Sequence, residues 1–342
     1  MKVSPSWRSR ILVIIALALM AVYPIYRNAE YGLAFTQYGR QVAFFEGNIE
    51  FYNPWQYRIL CPLICEGMYW AYTYTVDQLI PLVWFFPDDN PEVLRYYAVF
   101  VLFRIAIHLA IFYLCIRWYR HFVQNPLLIY LGLALLTLIM GNAVRDSDFS
   151  FNTYVDVILF LWTAIVVTEQ RSPWWIVLIS FLGALNRETA LLIPFLLFWV
   201  SRGESVFQKS AQKIIGIALI GLSVFLITAI SIRWYYGYVP PDWQVSIGEV
   251  LRQNLTGIRG FKTLFEIFGA VCVLPFFIWR HGRQCHLELR RWYWGLVPIW
   301  FIVHLGYTAA WESRLFLVPV VVVFLPMTLE LVDLAGRNRK KV

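Results

Sequence analysis

The sequence predicts an all-α protein, a polytopic bundle of about ten transmembrane helices that forms a single integral membrane domain over residues 1–342. The chain is 60% hydrophobic and only 15% charged, a composition typical of membrane proteins. Its apolar runs recur with lengths that suit the hydrocarbon core of a bilayer. Its basic residues cluster between these runs, so the net charge of +8 indicates the positive-inside rule rather than nucleic-acid binding.

The apolar run at residues 11–26 is predicted to be the first span. Lys2, Arg8 and Arg10 precede it, as they would in a signal peptide. However, no cleavage site of small residues follows, and its Tyr-Pro-Ile-Tyr end suits an anchor at the membrane interface. We therefore expect an uncleaved helix whose N-terminus lies in the cytoplasm.

Residues 28–94 are predicted to form a long first outer loop. Their middle part, residues 58–86, is apolar and rich in Trp and Tyr, but it has no Lys or Arg after Arg58. Two further spans would need a basic cytoplasmic turn near residues 73–77, and that turn has none. We therefore expect helices that lie in the outer interface.

The later apolar runs are bounded by basic or polar turns. They predict spans at residues 95–116, 126–141, 154–168, 214–234, 263–279, 292–311 and 315–334. Residues 142–153 form a short outer loop. Residues 235–262 form a second long outer loop, with a short amphipathic helix at residues 245–258.

Residues 173–200 contain Asn186, Arg187 and Glu188 inside an apolar run, where ionised groups are costly. If this run turns back as a hairpin, every short basic cluster falls on the cytoplasmic side. If it crosses once, residues 202–213, residues 280–291 and the C-terminal tail all lie outside. The positive-inside rule therefore predicts the hairpin, with both termini cytoplasmic. Each arm would be about 18 Å long, so the tip is expected below the outer surface, lining a protein cavity.

This topology places four polar groups on the outer side. Arginine suits bidentate recognition of phosphate or carboxylate. The carboxylates could bind a divalent metal such as magnesium or manganese, or accept a proton from a substrate hydroxyl. An ordinary surface ion pair is an equally open interpretation for Arg145 with Asp146 and for Glu312 with Arg314. The four groups are Gln56, Tyr57 and Arg58; Arg145, Asp146 and Asp148; Asn186, Arg187 and Glu188; and Glu312 and Arg314.

The layout resembles the polytopic glycosyltransferases of the GT-C class, which use sugars linked to polyprenyl phosphate. The resemblance rests on the cytoplasmic N-terminus, the long first outer loop and two short motifs. It implies that the arginines bind the phosphate of a lipid-linked sugar donor and that a carboxylate activates the acceptor hydroxyl. The motifs are Tyr57-Arg58-Ile59-Leu60-Cys61-Pro62, and Asn186-Arg187-Glu188-Thr189 followed by Pro194.

The position of the catalytic base departs from that class. There, an acidic residue early in the first outer loop commonly takes this role, but residues 32–43 of this chain contain no carboxylate. Glu46 comes later in the same loop, and Asp146, Asp148 and Glu188 are the other candidates.

We therefore expect a membrane glycosyltransferase that acts on the outer face of a bacterial inner membrane, with a lipid-linked sugar and membrane lipids as its partners. The alternative is a transporter or flippase without catalytic activity, or a polymerase of lipid-linked glycans. A transporter is expected to repeat its discontinuous spans in two matching halves, and the sequence pattern contains one such hairpin.

Overall fold

The computed structural model describes residues 7–31, 33–47, 55–87, 89–144, 151–200, 209–237, 246–271 and 274–339, and across these ranges it is helical, without a strand. Single turns of 3₁₀ helix occur at Trp55–Tyr57, Leu82–Trp84, Glu188–Leu191, Gly282–Gln284 and Ser313–Phe316, and a π-helical turn at Val320–Phe324. The α-helices are α1 (Trp7–Glu30), α2 (Leu33–Glu46), α3 (Leu60–Tyr74), α4 (Val76–Leu79), α5 (Pro91–Tyr119), α6 (Pro126–Ala143), α7 (Asn152–Thr168), α8 (Trp174–Asn186), α9 (Leu192–Val200), α10 (Lys209–Tyr236), α11 (Ile247–Leu255), α12 (Gly257–Val271), α13 (Leu274–His281), α14 (Leu287–Tyr307), α15 (Leu317–Pro319) and α16 (Leu325–Arg339).

Several helices are long and apolar enough to cross a membrane, which identifies a multi-pass helical membrane protein. Within the described residues there are five of them, fewer than the spans that the sequence pattern predicts. Shorter apolar helices cover Asn152–Thr168, Trp174–Asn186 and Glu188–Val200. The five long helices are Ile11–Glu30, Pro91–Tyr119, Pro126–Ala143, Gln212–Tyr236 and Ser313–Arg337.

Two predicted elements of the C-terminal half have different bounds in the structure. The predicted amphipathic helix at residues 245–258 ends at Leu255, because Thr256 is extended and Gly257 has a φ of +62°. α12 then begins at Gly257 and carries its own amphipathic pattern into the predicted span at residues 263–279. The spacing alone did not reveal this break, because glycine can either continue a helix or interrupt it.

The helical segment at Ser313–Arg337 lies at the centre of the bundle. In its most apolar part 89% is buried, whereas the corresponding value for α1 is 22%. The π-helical turn in this segment meets the end of α5, where the Trp118 indole donates to Val322 O at 3.0 Å and the Tyr119 hydroxyl donates to Val321 O at 2.9 Å. These bonds position the segment Ser313–Arg337, which includes Arg314, against the rest of the bundle.

The chain folds back at Arg187, as the charge distribution predicts. α8 ends at Asn186, and Arg187 is extended, with φ −156° and ψ 151°. A Cβ atom added to Gly183 would lie only 2.5 Å from the Cβ of Ala190. Residues seven positions apart in a straight helix are separated by about 10 Å, so this approach requires a reversal of the chain. α8 and α9 are therefore the two short arms of a hairpin.

We expect Gly183→Ala to lower the free energy of unfolding by about 1–3 kcal/mol, because the added methyl group overpacks the close contact with Ala190. Gly216→Ala in α10 is the matched control, since a Cβ there meets nothing within 4 Å. That control should be neutral or slightly stabilising. Denaturant unfolding of the two purified variants in detergent measures the difference, and equal stabilities would contradict the tight hairpin.

Candidate functional site

The hairpin tip is held by a polar network around Asp156, which is 0% exposed in the second turn of α7. One carboxylate oxygen accepts a hydrogen bond from the Asn186 side chain at 2.8 Å, and the other accepts from the Thr189 hydroxyl at 2.6 Å. Arg187 places its Nε 3.5 Å from the same carboxylate and donates from Nη1 to the Thr153 hydroxyl at 3.2 Å. A buried charge persists only with such partners, so this network fixes the tip against α7.

Asn186 of the hairpin and Asn152 of α7 exchange hydrogen bonds in both directions. Asn152 donates to the Oδ1 of Asn186 at 3.1 Å, and Asn186 donates to the main-chain oxygen of Asn152 at 2.9 Å. The thiol of Cys61 in α3 lies 3.5 Å from the same Oδ1 atom. One buried side chain therefore connects the hairpin, α7 and the first outer loop.

Arg187 pairs with Asp156 of α7, whereas Glu188 reaches Arg58, which lies just before α3. The Glu188 carboxylate accepts from Arg58 Nη2 at 2.9 Å and lies 3.6 Å from Nη2 of Arg233 at the end of α10. The extended backbone at Arg187 produces this divergence, because successive side chains of an extended segment alternate in direction. We call the space bounded by Tyr57, Arg58, Arg187, Glu188 and Arg233 the Glu188 pocket.

Trp55 lies among three arginines that are far apart in the sequence. The guanidinium carbons of Arg58, Arg40 and Arg314 lie 4.6, 4.9 and 5.7 Å from its ring centroid. These distances are within the range of cation–π attraction. Arg314 also donates two hydrogen bonds to Glu312, at 2.7 and 3.1 Å. Trp55 thereby brings together α2, the turn before α3 and the segment before the last helices.

A narrow opening beside this ring, which we call the Trp55 cleft, is lined by Gln37, Arg40, Trp55, Arg58 and Asn152 together with neighbouring apolar residues. Its volume is about 40 Å³, enough for a few water molecules. A larger group would therefore enter only if side chains move apart. Arg58 lines both the Trp55 cleft and the Glu188 pocket.

The described segment around Trp55 contains two buried hydrogen-bond donors that are not used, one on Arg58, which lines the cleft, and one on Gln56. Among the described residues, no acceptor lies in reach of the buried Nε of Arg58 or of the buried Nε2 of Gln56. Buried donors without an acceptor are costly, and an anion in the cleft could supply one. The described cluster holds five arginines and three carboxylates, so positive charge exceeds negative charge by two. These groups are Arg40, Arg58, Arg187, Arg233, Arg314, Asp156, Glu188 and Glu312.

Most of the candidate site residues from the sequence lie in or beside this cluster. The structure brings together Gln56, Tyr57, Arg58, Asn186, Arg187, Glu188, Glu312 and Arg314. Glu46 is an exposed residue at the end of α2. Arg145, Asp146 and Asp148 lie outside the described residues, so their roles stay predictions.

Sequence reasoning missed four members of the cluster: Trp55, Arg40, Asp156 and Arg233. Asp156 lies in the second turn of α7, which begins at Asn152, and it pairs with Arg187. The guanidinium of Arg233 lies 4.9 Å from the Tyr57 ring and close to Glu188. A buried carboxylate on an apolar helix was the available signal for Asp156.

A divalent metal was one sequence-based expectation for the carboxylates. The described part of the chain contains no group of three or more His, Cys, Asp or Glu residues able to hold a metal ion. Within that part, Glu188 and Glu312 are each paired with arginine. Asp146 and Asp148, two of the carboxylates considered for that ion, lie outside the described residues.

No protein-family model, no curated protein and no solved structure matches this chain. The chemistry of the site must therefore be argued from its own residues. Those residues form a partly buried, positively charged cluster beside an aromatic ring, which suits an anionic group such as a phosphate.

We expect Asp156→Asn to lower the free energy of unfolding by about 3–5 kcal/mol, because it leaves Arg187 buried without a counter-charge. Glu249→Gln is the control, since its partner Arg252 is 66% exposed and exposed pairs contribute about 0–1 kcal/mol. Combining Asp156→Asn with Arg187→Gln should recover part of the loss. Denaturant unfolding tests this, and independent, additive effects would contradict the buried pair.

Proposed function

We propose that this chain is a membrane glycosyltransferase that moves a sugar from a polyprenyl-phosphate donor to an acceptor at the outer face of a bacterial inner membrane. The observation that carries the proposal is the convergence of Arg40, Arg58 and Arg314 on Trp55. It supports a binding site for an anionic, lipid-borne phosphate beside a membrane-embedded hairpin. The resemblance to the GT-C class in its two short motifs supports the choice of donor.

The arginines suit the phosphate of such a donor, and Trp55 suits the sugar or prenyl unit next to it. Guanidinium groups can hold phosphate oxygens through paired hydrogen bonds, and those of Arg58, Arg40 and Arg314 lie within 4.6–5.7 Å of one ring. The indole ring offers a flat surface to the apolar face of a sugar or a prenyl unit. In this proposal Arg58 and Arg314 bind the phosphate and Trp55 positions the adjoining group.

The catalytic base is proposed among Asp146, Asp148, Glu46 and Glu188. Glu188 lies between Arg58 and Arg233, and neighbouring positive charges favour the ionised form of a carboxylate and weaken it as a base. Its contacts therefore favour a role in holding Arg58. The proposal assigns the base to Asp146 or Asp148 first, with magnesium or manganese as a cofactor on the same residues and Glu46 as the alternative base.

The proposed membrane arrangement has about ten spans, both termini in the cytoplasm and the hairpin entering from the outer side. We expect reporter fusions at Arg145, Arg187 and Glu312 to report the outer side and fusions at Lys209 and Arg290 to report the cytoplasm. The physical reason is that this arrangement keeps every short basic cluster on one side. A cytoplasmic signal at Glu312 would contradict both the arrangement and an outer site that includes Arg314.

We expect Arg58→Lys and Arg314→Lys each to raise the KM for the donor about tenfold or more, because an ammonium group cannot reproduce the two parallel hydrogen bonds of a guanidinium. Arg280→Lys, in a basic cluster remote from the site, should leave KM unchanged. Replacing the base, by Asp146→Asn, Asp148→Asn, Glu188→Gln or Glu46→Gln, should lower kcat by about two orders of magnitude or more. Transfer from a panel of polyprenyl-phosphate sugars to a lipid or glycan acceptor, measured with purified variants of confirmed fold, provides both values.

The outcomes separate the possible roles. Loss of activity only in Glu46→Gln would place the base in the first outer loop, and full activity in all four variants would exclude them as the base. A chelator that abolishes transfer, with recovery on addition of magnesium or manganese, would support the metal. Binding of prenyl phosphate by a wild-type protein that transfers no sugar would replace the enzyme with the carrier or flippase alternative.

A further inference from the structure

A second groove lies between α5 and α7, at the end of the bundle remote from the hairpin tip. Asp156, in the second turn of α7, and Thr168, at its last residue, are separated by about 18 Å along the helix axis. The groove is lined mainly by apolar side chains and has a volume of about 230 Å³. That volume is below the range of about 300–1,000 Å³ of sites that enclose a whole ligand. The groove therefore suits a segment of a larger molecule. Its lining residues are Ala110, Tyr113, Leu114, Arg117, Trp162, Ile165 and Arg171.

One end of the groove carries an arginine pair that shares a single carboxylate. Arg117 binds both oxygens of Glu169, and Arg171 donates from Nε to one of them at 2.8 Å. The hydrogen bonds from Arg117, followed by those from Arg171, lower the pKa of Glu169 to about 2, so Glu169 is ionised at neutral pH. Two guanidinium groups against one carboxylate leave one positive charge at the end of an apolar groove.

The position of this charge matches a bilayer lipid. Tyr113 is 59% exposed on the surface of α5 one turn before Arg117, and the exposed face of a membrane-spanning helix contacts acyl chains. Basic pockets between transmembrane helices, near the membrane surface, bind anionic headgroups. A soluble anion would use the arginines but leave the apolar groove unfilled.

We propose that this groove binds an anionic glycerophospholipid of the surrounding bilayer, with its phosphate against Arg117 and Arg171 and part of one acyl chain along Leu114 and Trp162. The site is separate from the Trp55 cleft and does not depend on the proposed transfer reaction. It requires only that the protein spans a membrane. The bound lipid would link the end of α5 to the loop between α7 and α8.

The test compares two lipids that differ only in headgroup charge. The full-length protein in detergent is titrated with dioleoylphosphatidylglycerol and with dioleoylphosphatidylcholine, and bound lipid is counted by native mass spectrometry. We expect tighter binding of the anionic lipid. Arg171→Gln should weaken that binding about fivefold, because one arginine near the headgroup region contributes roughly that factor. Combining it with Arg117→Gln should weaken it about 25-fold.

Three controls keep the proposal falsifiable. Arg171→Gln preserves the pair of hydrogen bonds between Arg117 and Glu169, so it remains informative if the double variant unfolds. Arg280→Gln with Arg283→Gln removes two charges elsewhere and should change nothing. Ala110→Phe fills the groove and should weaken the binding of both lipids. Equal binding of the two lipids by the wild type, or unchanged binding in Arg171→Gln, would overturn the proposal.

Discussion

The architecture of the hairpin end of the bundle depends on the burial of Arg187 beside Asp156. The side chains of these residues are 6% and 0% exposed, and charges so deeply buried are tolerated only when they are paired and hydrogen-bonded. The helix breaks at this point: α8 ends at Asn186, and the extended conformation of Arg187 allows its side chain to reach Asp156 on α7. Asn186 and Thr189 complete the shell of Asp156, so one carboxylate contacts three of the four consecutive residues of the tip.

The same break determines where Glu188 points. In a continuous helix, neighbouring side chains diverge by about 100°, and both would remain near one helix surface. The extended conformation at Arg187 sends Glu188 to the opposite side, where it meets Arg58. Adjacent residues of the chain therefore form the buried Arg187–Asp156 pair and line the Glu188 pocket. A substitution that displaces Arg187 is expected to displace Glu188 and its partner Arg58. Arg58 lines both the Trp55 cleft and the Glu188 pocket.

The sequence predicts the hairpin but only part of the site, for a physical reason. The distribution of Lys and Arg between alternate turns is a property of the whole chain. The topology that it predicts stays the same when individual helix bounds are wrong by a few residues. The partners of Arg187, Glu188 and Trp55 depend on contacts between helices that are remote in the chain. Asp156 is the one charged residue of α7. Its pairing with Arg187 becomes evident only when α7 and the end of α8 are placed side by side. Arg40 and Arg233 needed the same long-range information.

The two ends of the bundle use arginine in different electrostatic settings. Near Trp55, Arg314 is 5% exposed and Arg58 is 11% exposed, so salt screens their charges weakly and neighbouring groups are held in place. In the groove between α5 and α7, Arg117 is 30% exposed and Arg171 is 48% exposed, and their field decays within about 8 Å at physiological ionic strength. The arginines around Trp55 therefore lie in a setting where one anionic group would meet several weakly screened charges. The groove between α5 and α7 has more solvated charges, and this setting agrees with the weaker, exchanging contact proposed there for a bilayer lipid.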